Sequence, residues 1–161
     1  MSKVKVGNRA PDFSLPSSEG ENVSLSQFRL KKNVVLFFYP MDEFPICSRE
    51  AEAFRNSYGS FKEFDAEVIG ISSQSVEWHK AFASHHRLPF RLLSDTDYAV
   101  RKLYGVSSTL GAVLGRVTFV INKEGIVKYL YSSQLQPARR ADEALNALKK
   151  IAQAKKSGYQ K

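Results

Sequence analysis

The fold follows from one stretch of the chain, Val34-Val35-Leu36-Phe37-Phe38-Tyr39-Pro40-Met41-Asp42-Glu43-Phe44-Pro45-Ile46-Cys47-Ser48-Arg49-Glu50. Its first six residues are apolar, β-branched or aromatic, which predicts a strand buried on both faces of a sheet. A loop with two prolines follows, and the only cysteine, Cys47, stands where a helical pattern begins. Free N–H groups in the first turn of a helix favour an anion, so a reactive side chain there is a recurrent active-site arrangement. We therefore expect the rest of the chain to serve Cys47.

Helices and strands alternate after this stretch. Apolar residues at helical spacing predict an amphipathic helix over about 47–64, with Ala51, Phe54, Tyr58 and Phe61 on one face. Residues 67–72 and 90–93 read as two more buried strands. Ser75 is the expected N-cap of the helix between them, and Trp78 on that helix is expected in the core with the phenylalanines.

The C-terminal half adds a helix, a hairpin and a last helix. Asp95 or Thr96 has the side chain to cap a helix that Gly105 ends. Two apolar runs around an Asn-Lys-Glu-Gly turn predict a hairpin over 116–131. Apolar spacing then indicates a helix over about 138–154.

An N-terminal hairpin completes the predicted order of elements. Residues 13–15 and 23–25 read as its two strands, and Ser26 is the expected cap of a short helical turn. The whole order, β-α-β-α-β-α-β-β-α after the hairpin, predicts an α/β, thioredoxin-like fold. We expect a central mixed sheet flanked by helices, with an N-terminal β-hairpin extension. No linker or repeat interrupts residues 1–161, so we expect one domain with a basic, frayed tail from about residue 155.

Composition narrows the class of protein. The chain has 161 residues, a formal net charge of +8 and a pI near 9.6. Part of this excess is a run of lysines after residue 148, which is most simply a solvated helix end, so nucleic acid is not an expected partner. A single cysteine excludes an intrachain disulfide. The N-terminus lacks a signal-peptide pattern and no apolar run could span a bilayer, so we expect a cytoplasmic protein without membrane contact.

The residues alone leave two interpretations of Cys47. A thiol reacts as its thiolate, and a helix start lowers its pKa from the ordinary value of about 8.5. A nearby arginine would add to this effect, since a guanidinium stays protonated and offers a fork of donors. The alternative is an inert buried cysteine packed beside Phe44 and Ile46.

Four segments, in order, resemble those of the peroxiredoxins. They are Ala10-Pro11-Asp12-Phe13-Ser14-Leu15, Phe37-Phe38-Tyr39-Pro40 with Cys47 seven residues after the proline, Arg116-Val117-Thr118-Phe119-Val120-Ile121, and Ser133-Gln134-Leu135-Gln136-Pro137. The last segment is similar to the bacterioferritin-comigratory-protein (PrxQ) branch. The resemblance covers nearly the whole chain.

The resemblance implies a thiol peroxidase that reduces hydrogen peroxide and alkyl hydroperoxides without a cofactor. Cys47 would be the peroxidatic residue and would become a sulfenic acid. Arg116 would hold the thiolate and polarise the peroxide, Pro40 would shield the site, and Glu50 would orient an arginine. Without the resemblance, Arg116 would be a surface charge on a strand and Glu50 a carboxylate that complements the helix dipole.

Two positions depart from the family pattern. Peroxiredoxins carry Thr or Ser three residues before the cysteine, where this chain has Phe44, so a hydroxyl donor is missing. Either Ser48 or backbone N–H groups take its place, or the activity is reduced. Many members of the branch carry a resolving cysteine at position 52, where this chain has Glu52. This makes the chain a one-cysteine type that needs an external reductant, either a thioredoxin-like protein or a small thiol, and that is exposed to over-oxidation. The expected state is a monomer or a homodimer.

A second function stays open at the level of sequence. Phe44 and the basic tail would also fit a non-catalytic, thioredoxin-fold module for redox sensing or binding. Three histidines, His79, His85 and His86, lie on or beside one predicted helix, but no cysteine or acidic cluster joins them in the sequence, so we expect no metal site.

Overall fold

The computed structural model describes residues 4–40, 42–43, 45–106, 116–132 and 139–158, and side chains as far as residue 154. Its strands are β1 (Ser14–Pro16), β2 (Asn22–Ser24), β3 (Asn33–Phe38), β4 (Ala66–Ser72), β5 (Arg91–Ser94), β6 (Val117–Ile121) and β7 (Val127–Ser132). Its α-helices are α1 (Pro45–Asn56), α2 (Tyr58–Glu63), α3 (Val76–His85), α4 (Ala99–Tyr104) and α5 (Arg139–Gly158).

The central sheet is mixed, as predicted. Its five strands run in the order β5-β4-β3-β6-β7. Strands β3, β4 and β5 are parallel and joined by helices, whereas β6 is antiparallel to both β3 and β7. The antiparallel pair β1–β2 forms the separate N-terminal hairpin. The thioredoxin-like arrangement expected from the sequence is confirmed.

Strand β3 is the centre of the core because both of its faces are covered. Its alternating side chains Val34, Leu36 and Phe38 pack with the hairpin and α4. The other set, which starts with Val35 and Phe37, packs with α1, α3 and α5. The prediction of a strand buried on both faces is therefore correct.

The helix expected over about 47–64 is two helices. Helix α1 begins at Pro45, so Cys47 lies inside its first turn rather than at its start. The break falls at Ser57, whose backbone (φ −104°, ψ 8°) leaves the helical region. Serine is unfavourable in the interior of a helix because its hydroxyl forms hydrogen bonds with nearby backbone groups in non-helical conformations. The break still buries Phe54 and Phe61, whose ring centroids are 5.7 Å apart.

Several local expectations changed. Trp78 is 55 % exposed, so its assignment to the core is wrong; His79 and Phe82 provide the buried face of α3 instead. The predicted short helical turn is a 3₁₀ helix over Leu25–Phe28, and it is capped by Ser24, not Ser26. The cap at Ser75 is confirmed, since its hydroxyl accepts a hydrogen bond from the backbone N–H of Trp78. Helix α5 continues to Gly158, beyond the expected end at residue 154.

Candidate active site

Strand pairing brings Cys47 and Arg116 together from positions 69 residues apart. Arg116 directly precedes β6, and the register pairs Val117 with Phe38, so residue 116 lies at the end of the sheet from which the chain leaves β3 toward α1. Cys47 is buried in the first turn of α1, which opens with Pro45. Proline suits the first position of a helix because the backbone N–H group that it lacks would have no intrahelical acceptor there.

A direct polar contact joins the two side chains. The Nη1 group of Arg116 donates a hydrogen bond to Sγ of Cys47 at 3.3 Å. Both residues are almost completely buried. A fixed cation at this distance stabilises the thiolate over the thiol, and little water is present to screen it.

Glu50 holds the guanidinium of Arg116 from the other side. It lies one turn after Cys47, on the same helix face. Its Oε1 is 3.2 Å from Nη2 of Arg116, and its Oε2 is 3.4 Å from Nη1 of Arg140. Burial raises the pKa of Glu50, and the two guanidiniums oppose this effect.

Arg140 is the site residue that sequence reasoning missed. It is fully buried and donates to the backbone carbonyl of Arg116 at 3.0 Å and to Oγ1 of Thr118 at 3.3 Å. Its guanidinium also lies over the ring of Tyr131, 5.3 Å from the centroid. One signal was available, because Arg140 is the second residue of α5 and the helix dipole disfavours a cation at that end. A cation in that position indicates a partner elsewhere.

A second buried network fixes the loop between β3 and Cys47. The hydroxyl of Tyr39 donates to Oδ1 of Asp42 at 2.6 Å, and Nδ1 of His79 lies 2.7 Å from Oδ2 of the same carboxylate. Nε2 of His79 faces the carbonyl of Leu93 at 3.1 Å. The backbone N–H of Asp42 donates to Oε1 of Gln74. Asp42 is thus joined to α3 through His79, which also contacts β5.

The predicted site residues are therefore only partly brought together. Cys47, Arg116 and Glu50 form one contiguous cluster. Pro40 is half-buried in the loop after β3. Phe44 lies outside the described residues, as do residues 107–115 and the segment 133–137. Glu52, in place of a resolving cysteine, is paired with His86, with 2.8 Å between Oε2 and Nδ1.

Comparison with known proteins agrees with this geometry. Residues 6–130 match the profile of the AhpC/TSA family. The chain is 49% identical over 152 residues to the chloroplastic peroxiredoxin Q of Sedum lineare, covering 94% of this chain and 81% of the relative. It is 50% identical over 150 residues to the chloroplastic peroxiredoxin Q of Arabidopsis thaliana, covering 92% and 69%.

Solved structures give the same result. The peroxidoxin BcpB of Mycobacterium tuberculosis superposes with a TM-score of 0.84 at 36% identity and covers 92% of this chain and 98% of its own. A mutant of Xylella fastidiosa PrxQ also reaches 0.84, at 29% identity, over 94% and 99%. Within the described residues, no helix has the length and apolar character needed to cross a membrane. The chain therefore belongs to the AhpC/TSA family and is a peroxiredoxin of the PrxQ branch, a thiol-dependent peroxidase with Cys47 available as the peroxidatic cysteine.

Proposed function

We propose that Cys47 reduces hydrogen peroxide and alkyl hydroperoxides, with Arg116, Glu50 and Pro40 as its supporting residues. The observation that carries the assignment is the buried 3.3 Å contact between Nη1 of Arg116 and Sγ of Cys47. A guanidinium in this position keeps the sulfur ionised and provides donors for an incoming oxygen.

The reaction is an in-line displacement at oxygen. The thiolate of Cys47 attacks one peroxide oxygen, so an S–O bond forms as the O–O bond breaks. The departing hydroxide or alkoxide takes up a proton, and Cys47 is left as a sulfenic acid. Negative charge develops on the departing oxygen, which fixed donors stabilise in the transition state. The guanidinium of Arg116 has a donor for this oxygen, since its Nε donates no hydrogen bond within the described part of the chain.

Glu50 and Arg140 act as positioning residues. Glu50 sets the orientation of the Arg116 guanidinium through its Oε1, and Arg140 fixes the backbone carbonyl of the same residue. Pro40 limits the access of water to the site. Its half-buried position, next to the network of Tyr39 and Asp42, supports this role.

Replacing Glu50 by glutamine removes the negative charge between two buried guanidiniums. We expect a loss of about 1–3 kcal/mol in the free energy of unfolding, typical of a buried group left unsatisfied. The amide keeps a partly negative oxygen between the two guanidiniums, so the cost stays below the roughly 3–5 kcal/mol of a broken buried pair. Urea denaturation measures this change in the free energy of unfolding, with the same dependence on urea concentration expected for the variant and the parent chain. The exposed control Glu63→Gln should stay within about 0.5 kcal/mol of the parent chain, and an equal result for Glu50→Gln would contradict the network.

An external thiol completes the cycle. The chain has one cysteine, so the sulfenic acid cannot form an intrachain disulfide. A first thiol condenses with it to a mixed disulfide and releases water, and a second thiol then displaces Cys47. A thioredoxin-like protein or a small thiol meets this requirement.

Three further features belong to the proposal. We expect one domain over residues 1–161, a monomer or homodimer, and a cytoplasmic location; the plant relatives are named chloroplastic. Size-exclusion chromatography with light scattering measures the oligomeric state. Imaging of the tagged chain in its own cell measures the location.

Intact mass spectrometry tests the proposed reaction. One equivalent of hydrogen peroxide should add a single oxygen to the reduced chain, and peptide mapping should place it on Cys47. Added glutathione should convert this species to a mixed disulfide, and excess peroxide without thiol should add further oxygens to the same residue.

Two outcomes would oppose the proposal. Oxidation of methionine in preference to Cys47 would remove the basis for a peroxidatic role. Oxidation of Cys47 no faster than that of free cysteine would favour the non-catalytic sensing or binding module instead.

A further inference from the structure

Three polar side chains converge at the loop that leads to Cys47. Glu43 lies in that loop, while His85 is the last residue of α3 and His86 follows it. Oε2 of Glu43 is 2.8 Å from Nδ1 of His85, and its Oε1 is 2.9 Å from Nε2 of His86. One ligand atom from each of these three residues lies within 4.8 Å of the other two.

The donor set has the chemistry of a transition-metal site. Imidazole nitrogen and carboxylate oxygen are ordinary ligands of Zn²⁺, at about 2.0–2.2 Å from the ion. At those distances, two ligand atoms of a tetrahedral site are roughly 3.4 Å apart. The contacts here are slightly shorter, so the side chains need to separate only a little. His85 and Glu43 can do so, because 68% and 39% of their side chains are exposed.

Glu52 supplies an independent observation that points to a metal. Its Oε2 lies 2.8 Å from Nδ1 of His86, the ring nitrogen that does not face Glu43. Metal-bound histidines characteristically donate their second N–H to a carboxylate, which fixes the tautomer and the ring orientation. Nε2 of His86 is therefore already oriented as a ligand atom.

We propose that Glu43, His85 and His86 bind a divalent transition-metal ion such as Zn²⁺, with Glu52 orienting His86. Three protein ligands leave a fourth position for water. Sequence spacing does not reveal this site, because Glu43 is more than forty residues from the histidines. The third histidine, His79, is not part of it, since its ring is buried against Asp42.

Binding would tie two parts of the fold together. Glu43 lies four residues before Cys47, whereas the two histidines close α3. The backbone of Glu43 has a positive φ of 63°, which is unusual for a residue other than glycine. Such a conformation is kept only where the surrounding structure imposes it. A bound ion stabilises the folded state in which these segments meet.

Zinc titration of the full chain, against a fluorescent zinc indicator, tests the site. We expect one Zn²⁺ per chain in the parent protein and in Cys47→Ser, since the thiolate is not a ligand. Glu43→Gln and His85→Ala should weaken binding at least tenfold, and Glu52→Ala by about tenfold or more. The control Glu77→Gln, at the other end of α3, should bind as the parent does.

Thermal unfolding gives a second measurement. Zinc should raise the melting temperature of the parent chain and of Glu77→Gln, but not that of His85→Ala. Absence of stoichiometric binding to the parent chain would overturn the proposal. Loss of binding in Cys47→Ser, or unchanged binding in both Glu43→Gln and His85→Ala, would overturn it as well.

Discussion

Replacement of Cys47 by serine is expected to reduce thiol-dependent peroxide consumption to the rate of the thiol alone. The reason is chemical, because a serine hydroxyl is a weak nucleophile at its ordinary pKa and an ionised thiol is a strong one. The contact with Arg116 at 3.3 Å cannot compensate, since it favours an anion that serine does not form near neutral pH.

The measurement is the loss of peroxide over time with glutathione or dithiothreitol as reductant. Cys47→Ser changes a single atom of one side chain, so a retained cooperative thermal transition separates loss of chemistry from loss of fold. The exposed control Glu63→Gln should keep full activity. Turnover by Cys47→Ser above the protein-free rate would show that Cys47 is not the reacting group.

The fold was predictable because its signals are local. Strand β3 is a continuous apolar run, and helix periodicity located α1, although not its end at Asn56. The wrong predictions concern the orientation of single side chains. Trp78 follows the helical apolar pattern loosely and is one residue away from His79, whose ring is the buried one. A helix face shifts by about 100° per residue, so an adjacent residue points elsewhere.

The candidate site was predictable only in part, because its contacts are formed by tertiary structure. Spacing located Cys47 near the start of a helix, but Arg116 and Glu50 were identified through family resemblance rather than geometry. Arg140 was not predicted as a site residue, because its contacts form only when α5 packs beside β6. The pair of Asp42 and His79 escaped because it joins a loop to a helix across 37 residues.

Removal of the guanidinium in Arg116→Met is expected to slow the reaction of Cys47 with peroxide by about 10²–10³-fold. That is the typical cost of losing one fixed donor to a developing oxyanion. Alkylation of Cys47 by iodoacetamide at fixed pH should slow as well, since less of the sulfur is ionised. Glu50 keeps its ion pair with Arg140 in this variant, so its buried carboxylate is not left without a cation.

Lysine in the same position separates charge from geometry. The guanidinium of Arg116 contacts Cys47 through Nη1 and Glu50 through Nη2 at the same time. A single ammonium on a flexible stem lacks that planar fork, so Arg116→Lys should react with peroxide at a rate between the parent and Arg116→Met. Rapid-quench mass spectrometry of singly oxidised Cys47 gives the three rates.

The matched control for this series is Arg139→Met. It removes an exposed arginine that pairs with Glu143 on its own helix, so its peroxide rate should equal the parent rate. If Arg116→Met reacted at the parent rate while its fold was intact, the thiolate would have to be held by another donor, and the backbone N–H groups of the first turn of α1 would be the group to examine. If Arg116→Lys matched the parent, charge alone would account for the effect, and Glu50 would serve stability rather than orientation.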